Sequence, residues 1–150
     1  MMLSKACTYG ILASLHVARK ASRSKDFVSI GHMSKELNIS FHFLTKILQQ
    51  LTMAGILTSM KGPKGGVALK RNAGEISLAD IVAAIDGGGL FTDCLLGLPG
   101  CGELKPCPVH DEWAGIRTRL FQTFRDKNLA ELAQRTDELD LRFSLSELNG

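Results

Sequence analysis

The stretch Ser40-Phe41-His42-Phe43-Leu44-Thr45-Lys46-Ile47-Leu48-Gln49-Gln50-Leu51-Thr52-Met53-Ala54-Gly55 decides the fold. Leu44, Ile47, Leu48 and Leu51 recur at the spacing of one helix face, which leaves His42, Thr45, Lys46, Gln49 and Gln50 toward the outside. Ser40 can accept a backbone N–H of the first turn, and Gly55 can close the last turn in the left-handed conformation. The pattern predicts a helix from Phe41 to about Ala54. Just upstream, Ser29 offers a cap for a helix from Ile30 to Leu37, and Asn38-Ile39-Ser40 reads as a tight turn. Two short helices joined in this way make a helix-turn-helix.

Downstream, Ile56-Leu57-Thr58-Ser59-Met60 and Val67-Ala68-Leu69-Lys70 flank Lys61-Gly62-Pro63-Lys64-Gly65-Gly66, two strand-like runs about a Gly/Pro turn. This is a hairpin wing. Its tip of small residues and cations can lie close to phosphates or enter a minor groove. A wing following a helix-turn-helix is the layout of a reader of double-stranded DNA. The candidate DNA contacts are Ser40, His42, Thr45 and Lys46 at the start of the helix, with Lys61 and Lys64 at the wing.

Before this unit, Cys7, Ile11, Leu15 and Ala18, widened by Leu12, predict an amphipathic helix from Ser4 to about Ala21, with Cys7 as core. The polar run 21–26 breaks the pattern, and Phe27-Val28 is a candidate for a very short strand. After the wing, Ser77 with Asp80 predicts a capped helix from Leu78 to about Ile85. Gly87-Gly88-Gly89 lacks the flanking residues of a phosphate-cradling loop and is assigned to flexible exit geometry.

The exit leads into Cys94, Cys101, Cys107 and His110, spaced C-x6-C-x5-C-x2-H on a Gly- and Pro-rich loop. Three thiols and an imidazole need a backbone that can fold around one point, and the intervening residues supply turns in place of a long helix or strand. In a cytoplasmic protein such a cluster points to metal ligation or redox chemistry in preference to standing disulfides. The chain shows neither a membrane-span length of apolar residues nor the layout of a secretory signal, so the expected location is the cytoplasm, with no membrane partner. A thiol enzyme using Cys107 with His110 as base would also need an orienting group and a pocket, which the spacing does not provide, so no enzyme is expected.

Residues 111 to about 127 carry Trp113, Ile116, Leu120, Phe121 and Phe124 at helix-compatible positions, more apolar surface than a lone surface helix needs, and predict a dimerisation helix. Asn128 with Glu131 predicts a short helix ending near Arg135, before an acidic and polar tail expected to be mobile or only loosely docked. The fold class is thus mainly α with a small β-hairpin wing: a winged helix-turn-helix plus a long dimerisation helix. Its parts are a DNA-binding domain 1–86, a Cys-rich loop 87–110, a dimerisation and capping region 111–135, and a tail 136–150. A length of 150 residues suits one such assembly, and a net charge of +3 permits a nucleic-acid partner without requiring one.

Leu3-Ser4-Lys5-Ala6-Cys7-Thr8-Tyr9-Gly10, the helix-turn-helix ending Leu48, Leu51, Ala54-Gly55-Ile56-Leu57, the wing 61–66 and the three-cysteine loop together resemble the Rrf-two family. This is the group of winged-helix regulators that includes IscR- and NsrR-like iron-sulfur repressors. The likeness spans about residues 2 to 135. It implies a homodimer on paired half-sites and an iron-sulfur cluster, 2Fe-2S or 4Fe-4S, held by Cys94, Cys101 and Cys107. The resemblance further implies that loss of that cluster, in response to redox state, nitric oxide or iron-sulfur supply, alters promoter affinity. His110 resembles the histidine ligand of one branch. Another branch takes an Asp from the first helix, where this chain has Thr8, and the neighbouring Cys7 is the alternative fourth ligand. The x6 interval is a residue longer than that branch's pattern, and Lys61 stands where it carries Arg. A structural Cys3His zinc site, and a metal-free regulator governed by a protein partner, are the alternatives.

Overall fold

The computed structural model describes residues 2–102 and 104–141. Helix α1 (Lys5–Ala21) is capped by Ser4, whose hydroxyl accepts the Cys7 N–H at 3.0 Å. Helices α2 (Ile30–Leu37) and α3 (Phe41–Met53) follow, with Ser29 and Ser40 as their caps. Asn38 takes the left-handed conformation between them, at φ 56°, a region that Asn tolerates better than most residues. At the end of α3, Gly55 has φ 77°. Its N–H donates to the Thr52 carbonyl and that of Ile56 to Leu51, the paired bonds of a left-handed helix stop.

The wing consists of β1 (Leu57–Met60) and β2 (Gly66–Leu69), antiparallel with Leu57 opposite Leu69 and Met60 opposite Gly66. The short strand expected at Phe27-Val28 is a single bridge, Val28 to Val67, with bonds of 2.8 and 3.0 Å in the two directions. It ties the connector before α2 to the base of the wing. Gly66 is required there: at φ 144°, a Cβ would lie 2.0 Å from the Val28 carbonyl oxygen.

Helix α4 (Leu78–Ile85) carries the reciprocal capping box of Ser77 and Asp80. The Gly87–Gly89 exit is less open than expected, because a four-residue helix α5 (Gly89–Thr92) forms at once. Helix α6 (His110–Asp126) takes in His110 as its first residue. Helix α7 (Leu129–Leu139) continues past Arg135, where a stop was expected. The reason is packing: Leu129, Ala133 and Thr136 are buried, α7 lies against α1, and Asp137 accepts from the Arg19 Nε at 2.9 Å. Residues 136–139 are therefore helix and not tail. The rest of the expected tail, 142–150, lies outside the described residues.

The core is single. Met33, Leu37, Leu44, Ile47, Leu51, Ile56, Ile76, Ile81 and Leu129 are all essentially without exposure and pack as one cluster beneath the helix-turn-helix. No helix among the described residues is long and apolar enough to cross a membrane.

Candidate metal centre and nucleic-acid interface

The loop brings its thiols together. The Sγ atoms of Cys94, Cys101 and Cys107 all lie within 4.8 Å of one another, and Cys94 and Cys107 are 3.6 Å apart. His110 Nδ1 is 3.6 Å from Cys101 Sγ, so the imidazole joins the cluster beside Cys101 and not beside Cys107, its nearer neighbour in sequence. Gly102 makes room for the ring: at φ 90°, a Cβ would meet His110 Cε1 at 2.4 Å. The backbone N–H of Cys107 donates to Cys101 Sγ at 3.2 Å. Backbone hydrogen bonds from Leu98, and then Leu96, favour the Cys94 thiolate and hold its pKa down to about 7. Desolvation, and then the Cys101 side chain, push the Cys107 thiol up. The three sulfurs converge on one point, with the imidazole nitrogen beside Cys101, a donor set whose chemistry suits zinc or an iron-sulfur cluster.

Cys7 stands outside this group. It is fully buried on α1, and its thiol is pushed up to about 12, first by burial and then by the Asp86 carboxylate beside it. Asp86 itself accepts the Ser4 N–H at 2.9 Å, joining the end of α4 to the start of α1 immediately before the exit to the loop.

Sequence reasoning missed what holds the start of that loop. Trp113 Nε1 donates to the Asp93 carbonyl at 2.8 Å, and Arg117 Nη1 donates to the same oxygen at 2.9 Å. Phe91 of α5 packs edge-on against Phe121 and Phe124, with centroids 5.2 and 5.6 Å apart. Trp113, Phe121 and Phe124, expected on a dimer face, are thus partly engaged with their own chain. A buried or half-buried Trp commonly finds a partner for its N–H, and that was the only signal in the sequence for this role.

Helix α3 and the wing present the expected polar residues. His42, Lys46, Lys61 and Lys64 are exposed, as is Ser40, whose hydroxyl also accepts the Phe43 N–H at 3.4 Å. Thr45 is half-buried and its hydroxyl donates to the Phe41 carbonyl at 2.8 Å. A groove of about 570 Å³ separates α3 from the wing, with Phe41, Thr45, Gln49, Met53, Met60 and Lys61 on its walls. Arg71 turns away from this face, toward Asp80 at 3.7 Å.

A family model described as Rrf2, iron-dependent transcriptional regulator, matches residues 3–135. The HTH-type transcriptional regulator IscR of Xenorhabdus nematophila is 29% identical over 141 residues, covering 94% of this chain and 84% of its own. Among solved structures, CymR, the global cysteine regulator of B. subtilis, superposes with a TM-score of 0.75 at 23% identity over 90% of this chain and 98% of its own. IscR of T. potens gives 0.72 at 20% identity over 93% and 91%. These two share the fold. With a winged helix-turn-helix and a cysteine triad in one chain, the protein belongs to the Rrf2 family of transcriptional regulators, and is not an enzyme.

Proposed function

We propose that this chain is a homodimeric, cytoplasmic repressor that binds promoter DNA and carries an iron-sulfur cluster on Cys94, Cys101, Cys107 and His110, through which it senses redox state, nitric oxide or iron-sulfur supply. The observation that carries this reading is the convergence of three sulfurs within 4.8 Å, with His110 Nδ1 beside them, on a connector attached to a DNA-reading unit. When bound, such a cluster supplies an oxidation- and nitrosation-sensitive clasp on the loop. The chain's own residues do the rest. Trp113 and Arg117 fix the loop's start to α6, and Asp86 joins the same segment to the N-terminus of α1. Ile116, half exposed on α6, and Leu95, Leu96 and Leu98 on the loop supply apolar surface for a second copy. A dimer would place two copies of α3 on half-sites about 34–36 Å apart.

The test is purification without air, followed by a visible spectrum and iron and sulfide analysis. Iron and sulfide in stoichiometric amount, lost in a Cys101→Ser variant, support the cluster; colourless protein that fails reconstitution overturns it. One observation favours zinc as the second reading. Two separations, Cys94 Sγ to Cys107 Sγ and Cys101 Sγ to His110 Nδ1, both 3.6 Å, match single edges of a tetrahedron about one ion, about 3.5–3.8 Å for zinc–nitrogen and zinc–sulfur legs of about 2.0–2.3 Å. Stoichiometric zinc without sulfide would establish it.

For DNA, the contact set is Ser40, His42, Thr45, Lys46, Lys61 and Lys64. Lys61→Ala should weaken binding and reduce the slope of log affinity against log salt by about 0.9, one phosphate's worth of released counterion. An unchanged slope removes Lys61 from the set.

A further inference from the structure

The first turn of α3 is apolar on its wing-facing side, where hydrogen-bonding groups would be expected; Gln49 and Thr52 bring polar groups to the groove only further along the helix. Phe41 stands in the first turn with 56% of its surface exposed. Thr45, one turn on, lines the same groove, and its hydroxyl proton is spent on the Phe41 carbonyl. Met53 and Met60 continue the apolar lining. Cations flank this strip: Lys46 is exposed on α3, and Lys61 lies across the groove. A polyanion held by the cations is the occupant this charge pattern fits, and the first turns of such a helix are the part that meets base edges in a major groove.

Among the four bases, thymine is the one with an apolar group on its major-groove edge, the 5-methyl. Against guanine, adenine or cytosine a phenyl ring would cover donors and acceptors and leave them unpaired, which costs free energy. We propose that Phe41 is a specificity-determining residue that selects thymine at one position of each half-site by packing its ring on the 5-methyl group. This rests on the DNA-binding reading above, and adds a base preference that the cations do not supply.

The experiment begins by enriching duplexes from a random-sequence pool with the wild-type protein. Each thymine of the enriched site is then replaced singly by deoxyuridine, which removes the methyl and keeps every hydrogen-bonding atom. At one thymine per half-site, wild-type affinity should fall about fourfold, the effect of one buried methyl. Phe41→Ala should bind the parent duplex more weakly, lose the difference between thymine and deoxyuridine at that position, and keep the wild-type salt slope, because no phosphate contact has gone. Phe41→Leu should restore part of the discrimination. Both variants should melt with the wild type, since the ring is exposed. The proposal is overturned if no deoxyuridine weakens wild-type binding, or if Phe41→Ala keeps the full discrimination. Failure to enrich or bind any duplex would overturn the DNA-binding reading itself, and the proposal with it.

Discussion

The body of the molecule and its cysteine-bearing module are built on opposite terms. In the body, α1, α2, α3, α4, the wing and α7 share one core in which Leu37, Leu44, Leu51, Ile76 and Leu129 have no exposure at all. From residue 83 to 128, across α5, the loop and all of α6, no described residue is buried. A segment whose apolar residues are at most half-buried gains less from the hydrophobic effect, so more of its order must come from elsewhere. Within the chain it has the Trp113 and Arg117 bonds to Asp93 and the Phe91 ring contacts. On the proposed function, a bound metal and a second copy would supply the rest, and a region held in place by a chemically labile group is a region that can respond to chemistry.

Metal removal tests this contrast most severely, because ligation supplies on the order of 10 kcal/mol to small metal sites. Chelation should bring backbone-amide exchange at Cys94, Cys101 and Cys107 close to that of unstructured chain, while α1 and α3 keep their protection. Equal loss in both regions would break the comparison. Next in size is a pair of truncations. Leu51→Ala should cost about 2–5 kcal/mol in urea unfolding. Ile116→Ala should leave the unfolding of the body within about 0.5 kcal/mol while weakening self-association. Equal destabilisation by the two would erase the distinction.

The smallest effect sharpens the picture of the body. His16 is 2% exposed, and burial lowers its pKa from 6.5 to about 4 against the opposing pull of Glu36, whose carboxylate is 3.4 Å away and also lies 2.8 Å from His32 Nε2. With the folded pKa below the unfolded one, the unfolded chain takes up its proton first as pH falls. Stability is therefore complete above 6.5 and declines toward about 4, by at most about 1.4 kcal/mol per pH unit. Comparing urea midpoints at about pH 7 and about pH 5 in wild type and His16→Phe should show a flatter dependence in the variant. Identical slopes would remove His16 as the cause.

What could be read in the sequence follows the same division. The caps Ser29, Ser40 and Ser77, the Gly55 stop and the apolar face of α3 act locally, and each lies where its chemistry put it. The extension of α7 to Leu139 was hidden because it depends on α1, more than a hundred residues away in sequence. For the loop, residue types showed which side chains could ligate but not which would be neighbours. The pairing of His110 with Cys101 depends on the positive φ of Gly102, which clears the space for the ring. The groove beside Phe41 was also out of reach, since helical periodicity marks the ring as outward-facing without saying that the wing stands opposite.

The Val28–Val67 bridge makes the wing two parts with different freedom. Its base is sutured to the rest of the chain through Gly66 and the Val28 carbonyl. Lys61, Gly62, Pro63 and Lys64 lie beyond that suture, exposed. The tip is thus an interchangeable cassette: its length and charge can be rewritten to suit another groove while the angle at which it is presented stays the same.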